Sequence, residues 1–161
     1  MRGALATVRT MQEDFKRILV TTDFSEAGDH AIAHAFRMAA DHGAEVVLLH
    51  VVETIVAPNP LYAHYYLTDL LTPEVHARAE AEARQALLER IPKDGALAAV
   101  PHRVVVSQGL PAEEIIRATA EQQADLVVIS THGRTGLRHF LLGSTAERVI
   151  RHVHCPVLVV R

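Results

Sequence analysis

The stretch from residue 124 to residue 147 has the sequence pattern of a strand followed by a glycine-bearing loop and then a helix. Residues 126–130 form a short apolar run rich in β-branched side chains, which predicts a buried parallel strand. Gly133 interrupts the strand pattern, and Gly143 precedes a new helix start. Backbone N–H groups at a helix start lack intrahelical partners and, with the helix dipole, favour an anion. The stretch therefore predicts a phosphate site.

Polar side chains in the same loop could add to that site. Ser144 and Thr145 are hydroxyl residues at the predicted helix start, and they suit a small hydroxyl cap as well as a phosphate contact. His132 and Arg134 are candidates for a further phosphate contact, although Arg134 would equally suit a solvated position. The simpler alternative is a loop whose glycines serve only turn geometry.

Asp23 follows the first predicted strand and offers a second group for ligand chemistry. A carboxylate there can accept hydrogen bonds from ribose hydroxyls or from an adenine amino group. The alternative is that Asp23 is a turn residue that caps its own helix. Ser25 is a separate candidate for the helix cap. Both alternatives place Asp23 at the end of a strand and the start of a helix.

The elements that must position these groups are five strands that alternate with four helices. The hydrophobic patterns predict strands at 17–22, 45–52, 100–107, 126–130 and 156–161, and helices at 25–42, 74–90, 112–122 and 144–152. Alternation of this kind predicts an α/β fold, a doubly wound, Rossmann-like five-stranded parallel sheet with helices on both faces. Strand order 3-2-1-4-5 puts the topological switch point between strands one and four, where the Asp23 loop and the loop from Ser130 to Ser144 face each other.

Composition limits the classes of protein. The chain has 161 residues, 49% hydrophobic and 4% aromatic, which predicts one domain with an aliphatic core: a domain at 15–161 preceded by a flexible extension at 1–14. A formal net charge of −3 gives no basic footprint for nucleic acid. No apolar run reaches the length of a membrane span, and we expect no signal peptide. Cys155 is the single cysteine, so no internal disulfide forms, and we expect a cytoplasmic, reducing environment.

The glycine spacing resembles the universal stress protein family. Nine residues separate Gly133 from Gly143, and Ser144 follows directly, as in the loop of the nucleotide-binding members of that family. Ser130 occupies the position of that loop's first glycine. The resemblance extends from Lys16 to Arg161 and implies the fold called adenine nucleotide alpha hydrolase-like.

The resemblance also implies ligands and partners. It implies that the chain binds ATP, with or without Mg²⁺, through an Asp in an Asp-Phe-Ser-Glu context, here Asp23. It also implies a contact through the backbone at Val51, which the residues alone indicate only as a core valine. It implies a homodimer formed by edge-strand pairing of Val157–Val160. The complete set of predicted nucleotide-binding residues is Thr22, Asp23, Phe24, Val51, Gly109, Ser130, His132, Gly133, Arg134, Gly143, Ser144 and Thr145.

Three other features have more than one interpretation. The loop from Thr54 to Thr72 carries all three tyrosines and suits either a contact surface over the site or a cover for the sheet edge. His30 and His34, and separately the cluster His152, His154 and Cys155, could ligate a metal, but neither set has the further ligands of a closed site. Surface or structural histidines, and a buried apolar cysteine, are the preferred interpretations.

The favoured function is a stress-response protein that binds an adenine nucleotide as a regulatory ligand. No Gly-Lys-Ser/Thr sequence is present, which excludes the P-loop mechanism, and no base that would activate water is evident, so no catalytic residue is assigned. The alternatives are a slow ATPase or phosphotransferase, and a structural dimer that binds no nucleotide. The sequence does not choose among ATP, ADP, AMP and cyclic nucleotides.

Overall fold

The computed structural model describes residues 15–53, 72–93, 95–131 and 142–161. The elements in chain order are β1 (Arg17–Thr21), α1 (Glu26–His42), β2 (Glu45–Glu53), α2 (Pro73–Glu89), α3 (Gly95–Ala98), β3 (His102–Gly109), α4 (Pro111–Glu121), β4 (Leu126–Ser130), α5 (Ser144–His152) and β5 (Val157–Val160). The hypotheses on the tyrosine-bearing loop and on the extension at 1–14 concern residues 1–14 and 54–71, which lie outside this description.

The five strands form one parallel sheet in the order β3-β2-β1-β4-β5, which confirms the predicted fold class and strand order. β1 pairs with β2 on one side and with β4 on the other. Successive strands are therefore added toward one edge of the sheet up to β3 and toward the other edge from β4 onward. This position is the topological switch point, where the chain leaves β1 and β4 toward helices on opposite faces of the sheet, which leaves room for a ligand.

Successive strand residues point to opposite faces, and each face is covered by helices. On the first face, α1 and Leu87 of α2 pack on strand residues Ile18, Val20, Val46, Leu48, Leu126 and Val128. On the second, α4 and α5 pack on Leu19, Val47, Leu49, Val127 and Ile129. Because both faces are covered, the central strands are apolar throughout, which explains their near-continuous hydrophobic runs.

The ends of α1 follow the predicted signals. The Ser25 hydroxyl accepts a hydrogen bond from the amide of Gly28, and Gly43 ends the helix in the left-handed region at φ 66°. Glycine suits that conformation because it has no Cβ to clash with the preceding turn. The cap at Ser25 was predicted from the sequence.

Two boundaries around β3 differ from the prediction. The predicted strand at 100–107 is shifted to His102–Gly109, and the short helix α3 precedes it. The amide of Val100 donates to the carbonyl of Leu97 within that turn, and Pro101 has no amide to donate, so strand pairing begins only at His102. The strand continues to Gly109 because that residue pairs with Glu53.

Hydrogen bonds at the amino ends of the strands join β1 to β4. The carboxylate of Asp125 accepts from the amides of Lys16 and Arg17, at 2.8 and 3.1 Å. Glu45 adds ion pairs to Arg17 and Arg103, on the strands that flank β2.

The longest described helices, α1 and α2, have 17 residues each. No helix in the described ranges is long and apolar enough to cross a membrane.

Candidate functional site

A cleft of about 790 Å³ opens at the carboxyl ends of β1, β2 and β4, at the switch point. Its volume lies in the range of small-molecule sites. The described residues that line it are Thr21, Thr22, Asp23, Phe24, His50, Val51, Val52, Glu53, Ala79, Glu82, Ala83, Ala86, Pro111, Ile115, Ile129, Ser130, Thr131, Gly143, Ser144, Thr145 and Ala146. The Asp23 turn and the start of α5, which are far apart in sequence, therefore share one cleft.

The turn after β1 is braced by its own side chains. The amide of Phe24 donates to the Thr22 hydroxyl at 3.0 Å. One oxygen of Asp23, Oδ1, accepts from the amide of Ser25 at 3.2 Å and from its hydroxyl at 2.5 Å. Asp23 thus has a role in the turn, although Ser25 and not Asp23 caps the helix, and Asp23 also lines the cleft. The two roles are compatible because a carboxylate has two oxygens, each with several acceptor sites.

Gly28 allows the first turn of α1 to approach this turn closely. A Cβ at position 28 would lie 2.4 Å from the Thr22 hydroxyl oxygen and 3.2 Å from Asp23 Oδ1. Real Cβ atoms do not come that near to other heavy atoms, so a side chain here would displace the turn. Gly28 was not predicted, although a glycine in the first turn of a helix, where it lowers helix propensity, is a signal of close packing.

The ends of the loop between β4 and α5 lie close together. The amide of Thr131 donates to the carbonyl of Val160 at 2.8 Å, which extends the pairing of β4 with β5. The amide of Gly143 donates to the carbonyl of Thr131 at 2.9 Å. Ser130 lies at the cleft end of β4. The predicted ligands His132, Gly133 and Arg134 belong to the intervening segment and lie outside the described residues.

The predicted hydroxyl cap of α5 is wrong. Gly143 is the N-cap residue, with φ −72° and ψ 153°, and no side chain caps the helix by a hydrogen bond. Ser144 is already the first residue with helical conformation, so its hydroxyl lies beyond the capping position. An N-cap without a side chain leaves the first helical amides more open to an external acceptor than a serine or threonine cap would.

Val51 and Gly109, both predicted ligands, lie in different surroundings. Val51 lines the cleft and is 9% exposed, so it belongs to the core and to the cleft floor. Gly109, at the end of the edge strand, is absent from the described lining. A Cβ there would lie 2.9 Å from Cγ of Glu114, and its φ of 149° also favours glycine, so packing accounts for this residue.

Several cleft residues were not predicted from the sequence. His50 interrupts the apolar run of β2, a signal that could have identified it, and its ring stacks on Phe24 with centroids 4.0 Å apart. Glu53 and Glu82 add two carboxylates to that of Asp23. The described part of the lining contains no lysine or arginine. A polyanionic ligand would therefore depend there on backbone amides and hydroxyls, or on an accompanying cation.

In the part of the chain that the structure describes, no group of three or more His, Cys, Asp or Glu side chains is arranged to hold a metal ion. His30 and His34 are both exposed on α1. His152 Nδ1 lies 2.7 Å from the carbonyl oxygen of Arg148, in its own helix. Cys155 is half-buried rather than fully buried, so the expectation of a buried cysteine is corrected.

The fold and the cleft define a doubly wound α/β protein with a ligand-sized site at its switch point. The family model described as the universal stress protein family matches residues 14–161. The chain belongs to the universal stress protein family.

Individual relatives agree with this assignment. Universal stress protein MJ0531 of Methanocaldococcus jannaschii is 36% identical over 157 residues, which cover 96% of this chain and 86% of that protein. Universal stress protein MJ0577 of the same organism is 30% identical over 91% of this chain and 95% of its own length. Among solved structures, universal stress protein UspA from Lactobacillus plantarum superposes with a TM-score of 0.74 at 28% identity, over 91% of this chain and 97% of that one.

Two more distant structures share the fold and were solved with nucleotides. A universal stress protein in complex with cAMP has a TM-score of 0.59 at 22% identity, over 91% of this chain and 97% of that one. The universal stress protein from Archaeoglobus fulgidus in complex with dAMP has a TM-score of 0.57 at 18% identity, over 91% and 98%. At these identities the likeness establishes a common fold.

Proposed function

We propose that the protein binds an adenine nucleotide, ATP or a close relative, in the switch-point cleft as a regulatory ligand. One observation carries the proposal: the Asp23 turn, the Val51 floor and the uncapped start of α5 open on one cleft of about 790 Å³. Each of these supplies a different recognition chemistry, and together they match the parts of a nucleotide.

The phosphates would lie at the start of α5. The amides of that first turn and the positive end of the helix dipole favour an anion, and the hydroxyls of Ser144 and Thr145 line the same cleft. Gly143 keeps side-chain atoms out of this corner, where a Cβ would lie 3.1 Å from the carbonyl of Thr131. His132, Gly133 and Arg134 remain predicted contributors from the adjoining loop.

The nucleoside would lie toward β1 and β2. Asp23 offers a carboxylate to ribose hydroxyls, and the apolar side chains of Val51, Ile115 and Ile129 offer a surface for a base. Thr22 and Phe24 form the rest of that wall. That universal stress proteins of this fold were solved with cAMP and dAMP supports adenine as the base. Mg²⁺ could offset repulsion between a triphosphate and the carboxylates Glu53 and Glu82.

The test is to identify the nucleotide that accompanies the protein through gentle purification, by denaturation and chromatography of the released molecules, with calorimetry using ATP and Mg²⁺. We expect about one nucleotide per chain and saturable heat with ATP, as for a preformed site. An empty protein without heat would contradict the proposal and favour the structural dimer. Binding created by Ser130→Gly would then identify Ser130 as the cause. Steady ATP turnover lost in Asp23→Ala would favour the slow ATPase instead.

We further propose that the protein forms a homodimer through β5 and acts in the cytoplasm in a stress response. Within the described ranges β5 pairs only with β4, so the outer edge of Val157–Val160 is available for a second copy. Exposed strand edges of this kind pair readily with another strand. Sedimentation would show a dimer at micromolar concentration, and Val159→Pro, which removes one edge amide, would shift it toward monomer. A parent protein that sediments as a monomer would contradict the proposal.

A further inference from the structure

Phe24 has a strained backbone directly beside the predicted ligand Asp23. Its φ is 65°, in the left-handed region that residues with a Cβ rarely adopt. A bulky aromatic residue in this region stays there only when the surrounding structure holds it. Phe24 links Asp23 to Ser25, whose amide and hydroxyl donate to Oδ1 of Asp23, so the conformation of Phe24 helps to hold this carboxylate on the cleft wall.

His50, a residue of β2, contacts this turn. Its Nδ1 lies 2.8 Å from the carbonyl oxygen of Thr22, and because a carbonyl only accepts, Nδ1 carries the hydrogen. The same imidazole stacks on the ring of Phe24, with an angle of 25° between the planes. His50 therefore contacts the residue before Asp23 and the residue after it.

Arg90, the C-cap residue of α2, contacts the same turn through the ring of Phe24. Its guanidinium carbon lies 4.7 Å from the centroid of the Phe24 ring. Its Nε donates to Oδ1 of Asp29 at 2.8 Å, and its Nη1 donates to the carbonyl of Ala86 at 3.0 Å. The planar guanidinium is thus oriented by one contact on α1 and one on α2 while it covers the aromatic ring. Arg90 is not itself one of the described lining residues of the cleft, but it contacts two of them, the ring of Phe24 and the backbone of Ala86.

We propose that Arg90 is a positioning residue for the nucleotide site: by holding the Phe24 ring, it maintains the strained turn that presents Asp23 to the cleft. The inference rests on the proposed function, since it concerns affinity for the nucleotide. It adds a role for Arg90, the C-cap residue of α2, which is not itself among the described lining residues of the cleft. It also gives a role to the strained φ of Phe24, which accompanies the hydrogen bonds between Asp23 and Ser25.

The experiment compares Arg90→Gln and Arg90→Lys with the parent protein. Calorimetry measures the dissociation constant for ATP with Mg²⁺, and NMR measures amide hydrogen exchange at Phe24 and Ser25 without nucleotide. Arg90→Gln removes the cation from the ring, so we expect about five- to tenfold weaker binding together with faster exchange at Ser25, whose amide is held by Asp23. Arg90→Lys retains a cation over the ring and should recover part of the affinity. Arg84→Gln, an exposed arginine on the same helix, is the matched control and should leave both measurements unchanged.

The outcomes separate this inference from the proposed function. Faster exchange with unchanged affinity would overturn the inference, because Arg90 would then only stabilise the fold. Unchanged exchange with weaker binding would overturn it too, because the effect would not pass through the turn. If the parent protein binds no nucleotide, the proposed function fails and the inference fails with it. A thermal melt of each variant shows whether that variant is folded. If Arg90→Gln is unfolded, Arg90→Lys is the variant whose affinity and amide exchange are compared with those of the parent protein.

Discussion

The amide of Gly143 donates a hydrogen bond to the carbonyl of Thr131 at 2.9 Å, so the end of β4 and the start of α5 meet across the loop that separates them. This bond fixes the position of the α5 amides relative to the carboxyl end of the sheet. It also brings Gly143 so close to Thr131 that a Cβ would lie 3.1 Å from the carbonyl oxygen.

Gly143→Val should therefore weaken nucleotide binding more than it weakens the fold. The branched side chain would push the start of α5 away from Thr131, and we expect affinity for ATP to fall by about tenfold or more, which corresponds to about 1.4 kcal/mol. Calorimetry measures the affinity and urea unfolding measures the stability. Ser144→Ala, which removes an exposed hydroxyl and keeps the backbone, is the comparison, and it should lower the affinity less because the backbone amides remain. A larger loss in Ser144→Ala than in Gly143→Val would show that the hydroxyl, not the backbone, binds the phosphate.

Gly28→Ala should destabilise the protein through its contact with Thr22. The added Cβ would meet the Thr22 hydroxyl at 2.4 Å, and overpacking of this kind costs about 1–3 kcal/mol of unfolding free energy. The same change at Gly43 is a useful comparison, since its Cβ would meet nothing within 4 Å and only the positive φ opposes it. Urea unfolding measures both variants.

A double-mutant cycle locates the source of that cost. In a Thr22→Ala background the hydroxyl is gone, so Gly28→Ala should cost less than it does in the parent protein. Equal costs in the two backgrounds would mean that the clash with Thr22 is not what destabilises the variant.

The sequence predicts the sheet well because strand order follows from local patterns and from the handedness of the crossovers. The run 126–130, the caps at Ser25 and Gly43, and the switch point all depend on neighbouring residues or on general rules. The contact of Arg90 with Phe24 joins residues 66 positions apart and depends on where α2 packs, which no periodicity encodes. The cap of α5 was misassigned for a related reason: residue type favours a hydroxyl at the cap, but the Gly143 bond to Thr131 sets where the helix begins.

Cys155 should react slowly with thiol reagents at neutral pH. Partial burial, and secondly the negative charge of Asp125, raise the pKa of the Cys155 thiol. A raised pKa leaves less of the reactive thiolate at pH 7 to 8 than in an unperturbed cysteine, and the rate should keep rising at higher pH. Alkylation by iodoacetamide across pH 7 to 10, followed by mass spectrometry, measures this. Asp125→Asn removes one of the two causes, so its profile should shift to lower pH, and a profile that matches free cysteine in the parent protein would contradict the prediction.

Two substitutions at Asp23 separate its role in the turn from its role in the cleft. Asp23→Asn keeps an oxygen that can accept from Ser25 but removes the negative charge, so unfolding free energy should change by less than about 1 kcal/mol while ATP affinity falls by about tenfold. Asp23→Ala removes the acceptor as well and should lower both quantities, since the amide and hydroxyl of Ser25 lose their partner. Calorimetry and urea unfolding on the same preparations measure the two effects. If Asp23→Asn binds ATP as tightly as the parent while Asp23→Ala does not, the residue serves the site only by shaping the turn, and the ribose contact belongs to another group.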